Sequence, residues 1–158
     1  MKTLNRIDLA SLSSRAADAA RLRANHNLHE TLDAAVQRLA IAMEPGTYVR
    51  PHRHCQSWEL LCPLAGAFEV VVFDEAGVVC SRLRLGEGGA AVLEMPAGTW
   101  HSVLSLTAGS VVLEVKEGPY RKAEAADLAA WSPAEGDPAV AAMLEFLATA
   151  PVGARYAA

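Results

Sequence analysis

The chain has no apolar run long enough to span a bilayer, which sets aside a helical membrane protein. Residues 1–15 carry no continuous apolar stretch behind their basic residues. No secretory leader is therefore expected, and the cytoplasm is the expected compartment. An excess of positive charge is also lacking. The 14 basic residues stand against 18 acidic ones, a formal net charge of −4, which argues against nucleic acid or an anionic membrane surface as the main partner. Cysteine is scarce: Cys55, Cys62 and Cys80 cannot all pair within one chain, and they form no C-x-x-C pattern. They read as small apolar residues. Internal repeats, charge blocks and low-complexity tracts are absent too.

What remains is a chain of 158 residues with 52% hydrophobic content, enough for one compact domain with a sizeable core. Within residues 8–24, Leu9, Leu12, Ala16, Ala19 and Ala20 recur near helical spacing, which predicts one or two short helices. The polar stretch 23–30 is too rich in Asn and His for a core helix and reads as a connector. From Val36 the texture changes to short alternating runs at 36–44, 58–63, 67–73, 78–85, 90–94, 101–106 and 110–117. Gly, Pro and Asp separate them. Many short strands with turns between them predict a sandwich or barrel rather than βαβ units. Residues 123–131 and 138–148 read as helices. The expected layout is a helical segment over 1–35, a β-barrel over 36–118 and helices over 119–158, all in a single domain.

Two motifs carry chemistry. In the first, His52 and His54 lie two apart, so on a strand both imidazoles point to one face. Glu59 opens the next strand, where a hairpin can return its carboxylate to the rings. In the second, Pro96-Ala-Gly-Thr-Trp-His101 delivers a third imidazole from a tight turn. Three imidazoles and one carboxylate suit one divalent cation (zinc, iron or nickel) and leave a coordination position open for a ligand. Tyr48 and Arg50 precede His52 at period two and are expected to share its inward face. With Glu59 they are the catalytic candidates. Arg23, Asn25, Asn27 and His29 form a second polar cluster, expected to fold over the barrel mouth as a lid and line the substrate pocket.

These motifs resemble those of the cupin superfamily, G-x5-H-x-H-x3,4-E-x6-G and G-x5-P-x-G-x2-H-x3-N. The first is met from Gly46 to Gly66 and the second at Pro96, Gly98 and His101. Ala90 and Ser105 stand where the second has Gly and Asn. A closer resemblance is to the WbuC family of cupin-fold metalloproteins. It rests on the strings Arg-Ala-Asn-His-Asn-Leu-His, Val-Gln-Arg-Leu, Pro-Gly-Thr-Tyr-Val-Arg-Pro-His-Arg-His, Pro-Ala-Gly-Thr-Trp-His and Lys-Glu-Gly-Pro-Tyr. The resemblance implies a mainly β, RmlC-like jelly-roll barrel with short terminal helices, a bound metal, a homodimer, and a link to surface-polysaccharide synthesis. Three functions compete. One is a metal-dependent enzyme, isomerase-like or dioxygenase-like, acting on a small oxygenated molecule such as a sugar. Another is a non-catalytic, metal-dependent module for a small ligand. The third is a metal-free epimerase using His as base, which does not require His52, His54 and Glu59 together.

Overall fold

Asn5 starts the first element of the computed structural model, which describes residues 1–157. Its side-chain oxygen accepts from the Ile7 and Asp8 N–H groups at 2.8 and 3.2 Å, and Asp8 accepts from the Asn5 N–H. This capping box opens α1 (Arg6–Ala17). Leu12 and Ala16, one turn apart, bury against Ala40, Ala42 and Val111, whose small size lets the helix sit close. The helix ends at Ala17, short of the expected position 24. Residues 19–22 form a turn instead, with Leu22 in the left-handed region at φ 53°. The Leu22 carbonyl holds that turn by accepting from the Glu44 N–H at 3.0 Å and from Thr47 Oγ1 at 2.7 Å.

The next segment corrects the expectation of a connector or lid. Residues Arg23–Asn27 form β1, an edge strand antiparallel to β2 (Val36–Met43), with Arg23 opposite Met43 and Asn27 opposite Leu39. Its polar side chains are no obstacle, because an edge strand needs only its backbone groups paired on one side. Then follow β3 (Glu59–Ala65), β4 (Ala67–Phe73), β5 (Val79–Gly86), β6 (Leu93–Met95), β7 (Trp100–Ser105) and β8 (Ser110–Glu117). They make two antiparallel sheets, ordered β1-β2-β8-β3-β6 and β5-β4-β7. The chain passes from one sheet to the other at Gly66. A Cβ there would stand 2.3 Å from Ser110 Oγ, and φ is +70°, so only glycine fits.

The two sheets share a core of Met43, Leu61, Phe68, Val70, Leu85, Met95, Val103 and Val112. Each such side chain contributes about 1.5–3 kcal/mol on full burial. A second core packs Met143 and Leu147 of α2 (Val140–Thr149) against Tyr48, Val71, Phe73, Val79, Trp100 and Leu104. Two expected elements shrink. The strand expected at 90–94 keeps only Leu93–Met95, because Ala90 turns back to bond Arg84 and Gly86. The helix expected at 123–131 is a single 3-10 turn, Ala125–Asp127. Residues 127–129 instead pair with the chain around His52: the Arg53 N–H donates to Asp127 O and the Ala129 N–H to Pro51 O, both at 2.9 Å. Cys55, Cys62 and Cys80 are all free thiols. Among the described residues no helix is long and apolar enough to cross a membrane.

Candidate metal centre

Three separate segments build the centre. His101 lies on β7 and exchanges both backbone bonds with His52, at 2.9 and 3.0 Å. Directly paired residues share a sheet face, so their rings meet with centroids 4.5 Å apart. His54 follows two residues later, its ring centroid 5.1 Å from that of His52 and 6.0 Å from that of His101. Glu59 comes from β3, held between Met95 on β6 and Lys116 on β8. Its Oε2 lies 2.9 Å from His101 Nε2 and its Oε1 lies 3.6 Å from His54 Nε2. One ligand-type nitrogen from each of the three histidines falls within 4.8 Å of the others.

The donor chemistry fits a cation. His52 Nδ1 and His101 Nδ1 each donate to a backbone carbonyl at 2.9 Å, Arg50 O and Thr99 O respectively. Such bonds fix the tautomer and leave Nε2 as the lone-pair atom. His101 Nε2 thus faces Glu59 Oε2 at contact distance, two acceptors against each other. Glu59 Oε2 and His54 Nε2 are both buried without a hydrogen-bond partner. Only a cation or a shared proton relieves that contact. Burial, then the charge of His101, pushes His52 down to about 3, so its lone pair is free at neutral pH. Burial raises the Glu59 carboxyl, but His101 and His54 outweigh it and hold the group well below the usual carboxylate range. Burial lowers His101 while Glu59 more than offsets this, so its net direction is upward.

Beside these four residues opens a cavity of about 550 Å³, into which His52, Glu59 and His101 project. His54 lines a neighbouring groove of about 600 Å³ on its other side, with Cys55, Gln56 and Asp127. Arg23, Asn25, Asn27 and His29 all line the first cavity, from β1 and the turn after it rather than from a lid.

Tyr48 and Arg50 do not reach the cavity. The Tyr48 hydroxyl donates to Pro133 O at 2.8 Å. The Arg50 guanidinium donates to Ser132 Oγ, Ser132 O and Ala129 O, each at 3.0 Å. The period-two reading fails because residues 47–51 lie outside any ladder, and Val49 is the one that lines the cavity. Both side chains pin the C-terminal segment to the barrel. Burial accordingly pushes the Tyr48 hydroxyl up to about 12.

Glu114 and Lys116 were not among the expected site residues. They alternate inward on β8 beyond Val112, and Lys116 Nζ lies 2.6 Å from Glu114 Oε1. Burial, then the nearby Glu59 charge, raises Glu114 to about 7, and Glu114 in turn raises Lys116 against the effect of burial. The signal was present in the sequence: the inward positions of an otherwise apolar strand change from Val112 to Glu114 and Lys116.

Two antiparallel sheets enclosing a histidine–carboxylate cluster define a cupin-type jelly roll, and solved structures agree. A cupin-2 domain protein from Rhodospirillum rubrum matches at 20% identity over 80% of this chain and 80% of its own, with a TM-score of 0.51. An RmlC-like cupin from Desulfovibrio desulfuricans matches at 21% identity over 74% and 96%, with a TM-score of 0.52. KdgF from a Halomonas species matches at 21% over 63% and 82%, with a TM-score of 0.50. The chain belongs to the family described as Domain of unknown function (DUF6016), whose model matches residues 4–85. No curated protein matches it.

Proposed function

We propose that this cupin-fold chain binds one divalent cation through His52, His54, Glu59 and His101. On this reading it acts as an enzyme on a small oxygenated molecule, a sugar or sugar derivative, held in the adjoining cavity. The observation that carries the reading is the convergence of unpartnered donor atoms, Glu59 Oε2 and His54 Nε2, beside the oriented Nε2 of His101. A cation held there supplies Lewis acidity to an oxygen of the ligand. The chain's own contribution is placement. Leu61, Val103 and Val112 exclude water on one side, while Lys116 and Glu114 offer a donor and an acceptor to hydroxyl groups.

The resemblance to the WbuC family supports a role connected with surface polysaccharide, the likeness to cupins supports a homodimer, and the reading takes the chain as one domain working in the cytoplasm. The outer edges of β1 and β6 are strand edges of the kind a second copy can cover, whereas β7 and β5 already bond His52 and residues 153–154 along part of theirs. Sedimentation of a monomer at high concentration would refute the dimer.

The test of the function is metal content followed by turnover. Protein purified without added metal is expected to hold one zinc, iron or nickel ion per chain. A panel of sugars and nucleotide sugars, assayed with and without dioxygen, separates isomerase-like from dioxygenase-like activity. Tight ligand binding with no turnover of any member would favour the binding module instead.

A further inference from the structure

The cavity has a second pole, far from the histidines. Along the five-stranded sheet, Asn27, Leu39, Glu114 and Leu61 form one cross-strand row, and Gln37, Lys116 and Glu59 form the next. β1 therefore lies three strand spacings, about 14 Å measured along the curved sheet, from β3 and its Glu59, and the cavity is the shorter way across. Arg21, Arg23, Asn25, Asn27 and His29 line the cavity at that end.

His29 is the informative residue. It is 5% exposed, and its Nδ1 accepts from the Arg38 N–H at 3.0 Å. The Arg38 carbonyl, 3.1 Å from the same nitrogen, accepts from the Leu28 N–H at 2.8 Å, and a nitrogen that accepts from the Arg38 N–H carries no proton of its own. The ring proton therefore sits on Nε2, which is buried and has no partner among the described residues. A buried donor left unmet costs about 1–3 kcal/mol, so its place in a cavity wall calls for an acceptor from a ligand. The charge around it agrees. Arg21 and Arg23 share the single carboxylate of Glu135, leaving one positive charge in excess, whereas Lys116 is balanced by Glu114. Asn25 Nδ2 donates to Asn27 Oδ1 at 2.8 Å and so orients the Asn27 amide at the rim.

We propose that this pole is an anion-recognition site, so that the cavity takes a polyhydroxylated acid. One end of the ligand lies at the His52–His54–Glu59–His101 centre, and its carboxylate or phosphate oxygens lie at His29, Arg23 and Asn27. The inference rests on the metal reading only for the ligand's first end. Lys116 and Glu114 stand between the poles, where hydroxyls of such a molecule pass.

Calorimetric titration with D-gluconate, its neutral counterpart D-glucitol, and D-glucose 6-phosphate tests this, with metal per chain measured on the same samples. Gluconate, glucose 6-phosphate or both should bind about tenfold or more tightly than glucitol. Which of them does so identifies the anion as carboxylate or phosphate. His29→Phe should remove most of that preference while metal content stays as in the wild type; Asn27→Ala provides the same reading should His29→Phe not fold. Neither anion exceeding glucitol, no binding of any probe at millimolar concentration, or a preference unchanged in the variants would overturn the proposal. Failure of the metal reading shows separately, as wild-type protein without metal. The preference is then read on the metal-free protein, where its persistence supports the anion pole and its absence overturns it.

Discussion

The two poles of the cavity are built by opposite means. The histidine pole draws four side chains from three separate segments and buries two of them almost fully, Glu59 at 4% and His101 at 2% exposure. Backbone carbonyls hold two of its rings in a fixed tautomer. The far pole comes from one edge strand and the turns on either side of it, and Asn25 and Asn27 there are exposed. The first pole is rigid and suits a point charge, while the second is open and offers several donors. On the proposed reading, rigidity at one end and adaptability at the other assign the chemistry to the first and ligand choice to the second.

The strongest way to break this division is to remove a ligand side chain. His101→Ala should reduce metal from one ion per chain to essentially none, read by elemental analysis, while the fold persists by circular dichroism. Metal retained at full occupancy would place the ion elsewhere. Arg50→Ala comes next. It deletes three hydrogen bonds to residues 129–132 and should destabilise the protein by about 2–4 kcal/mol in denaturant titration. The folded fraction should keep its metal. Lost activity at unchanged stability would restore Arg50 to the cavity.

Asn25→Ala sharpens the comparison from the other side. Ligand affinity should weaken about threefold to tenfold with metal intact. The smallest effect concerns pH. Tyr48 has its pKa raised from 10.0 to about 12 by burial, so its contribution to stability is present below pH 10 and is lost as pH rises from 10 to 12. Tyr48→Phe should flatten that alkaline decline in a series of melting curves. An unchanged decline would show that another group titrates there.

The histidine pole was legible in the sequence because its spacing is local. His52 and His54 lie two apart, and His101 follows its own turn motif, so few residues need to be in register for the pattern to hold. Most of the strands were legible for the same reason, through short alternating runs with turn residues between them. β1 was not, because Arg-Ala-Asn-His-Asn carries no apolar alternation. Its strand character comes from the β2 ladder and from the Leu22 turn that delivers it. The inward face of Tyr48 and Arg50 was misread because period two holds only where a ladder holds the chain flat, and residues 47–51 have none. Glu114 and Lys116 escaped notice because they acquire meaning only beside Glu59, and that register is tertiary.

The most direct test of the account is a crystal structure of metal-supplemented protein with anomalous data at the zinc, iron and nickel edges. The account predicts one ion within about 2.0–2.2 Å of a nitrogen from each of His52, His54 and His101, with Glu59 as the fourth ligand. No anomalous peak among these residues, with His101 Nε2 hydrogen-bonded to Glu59 instead, would contradict it.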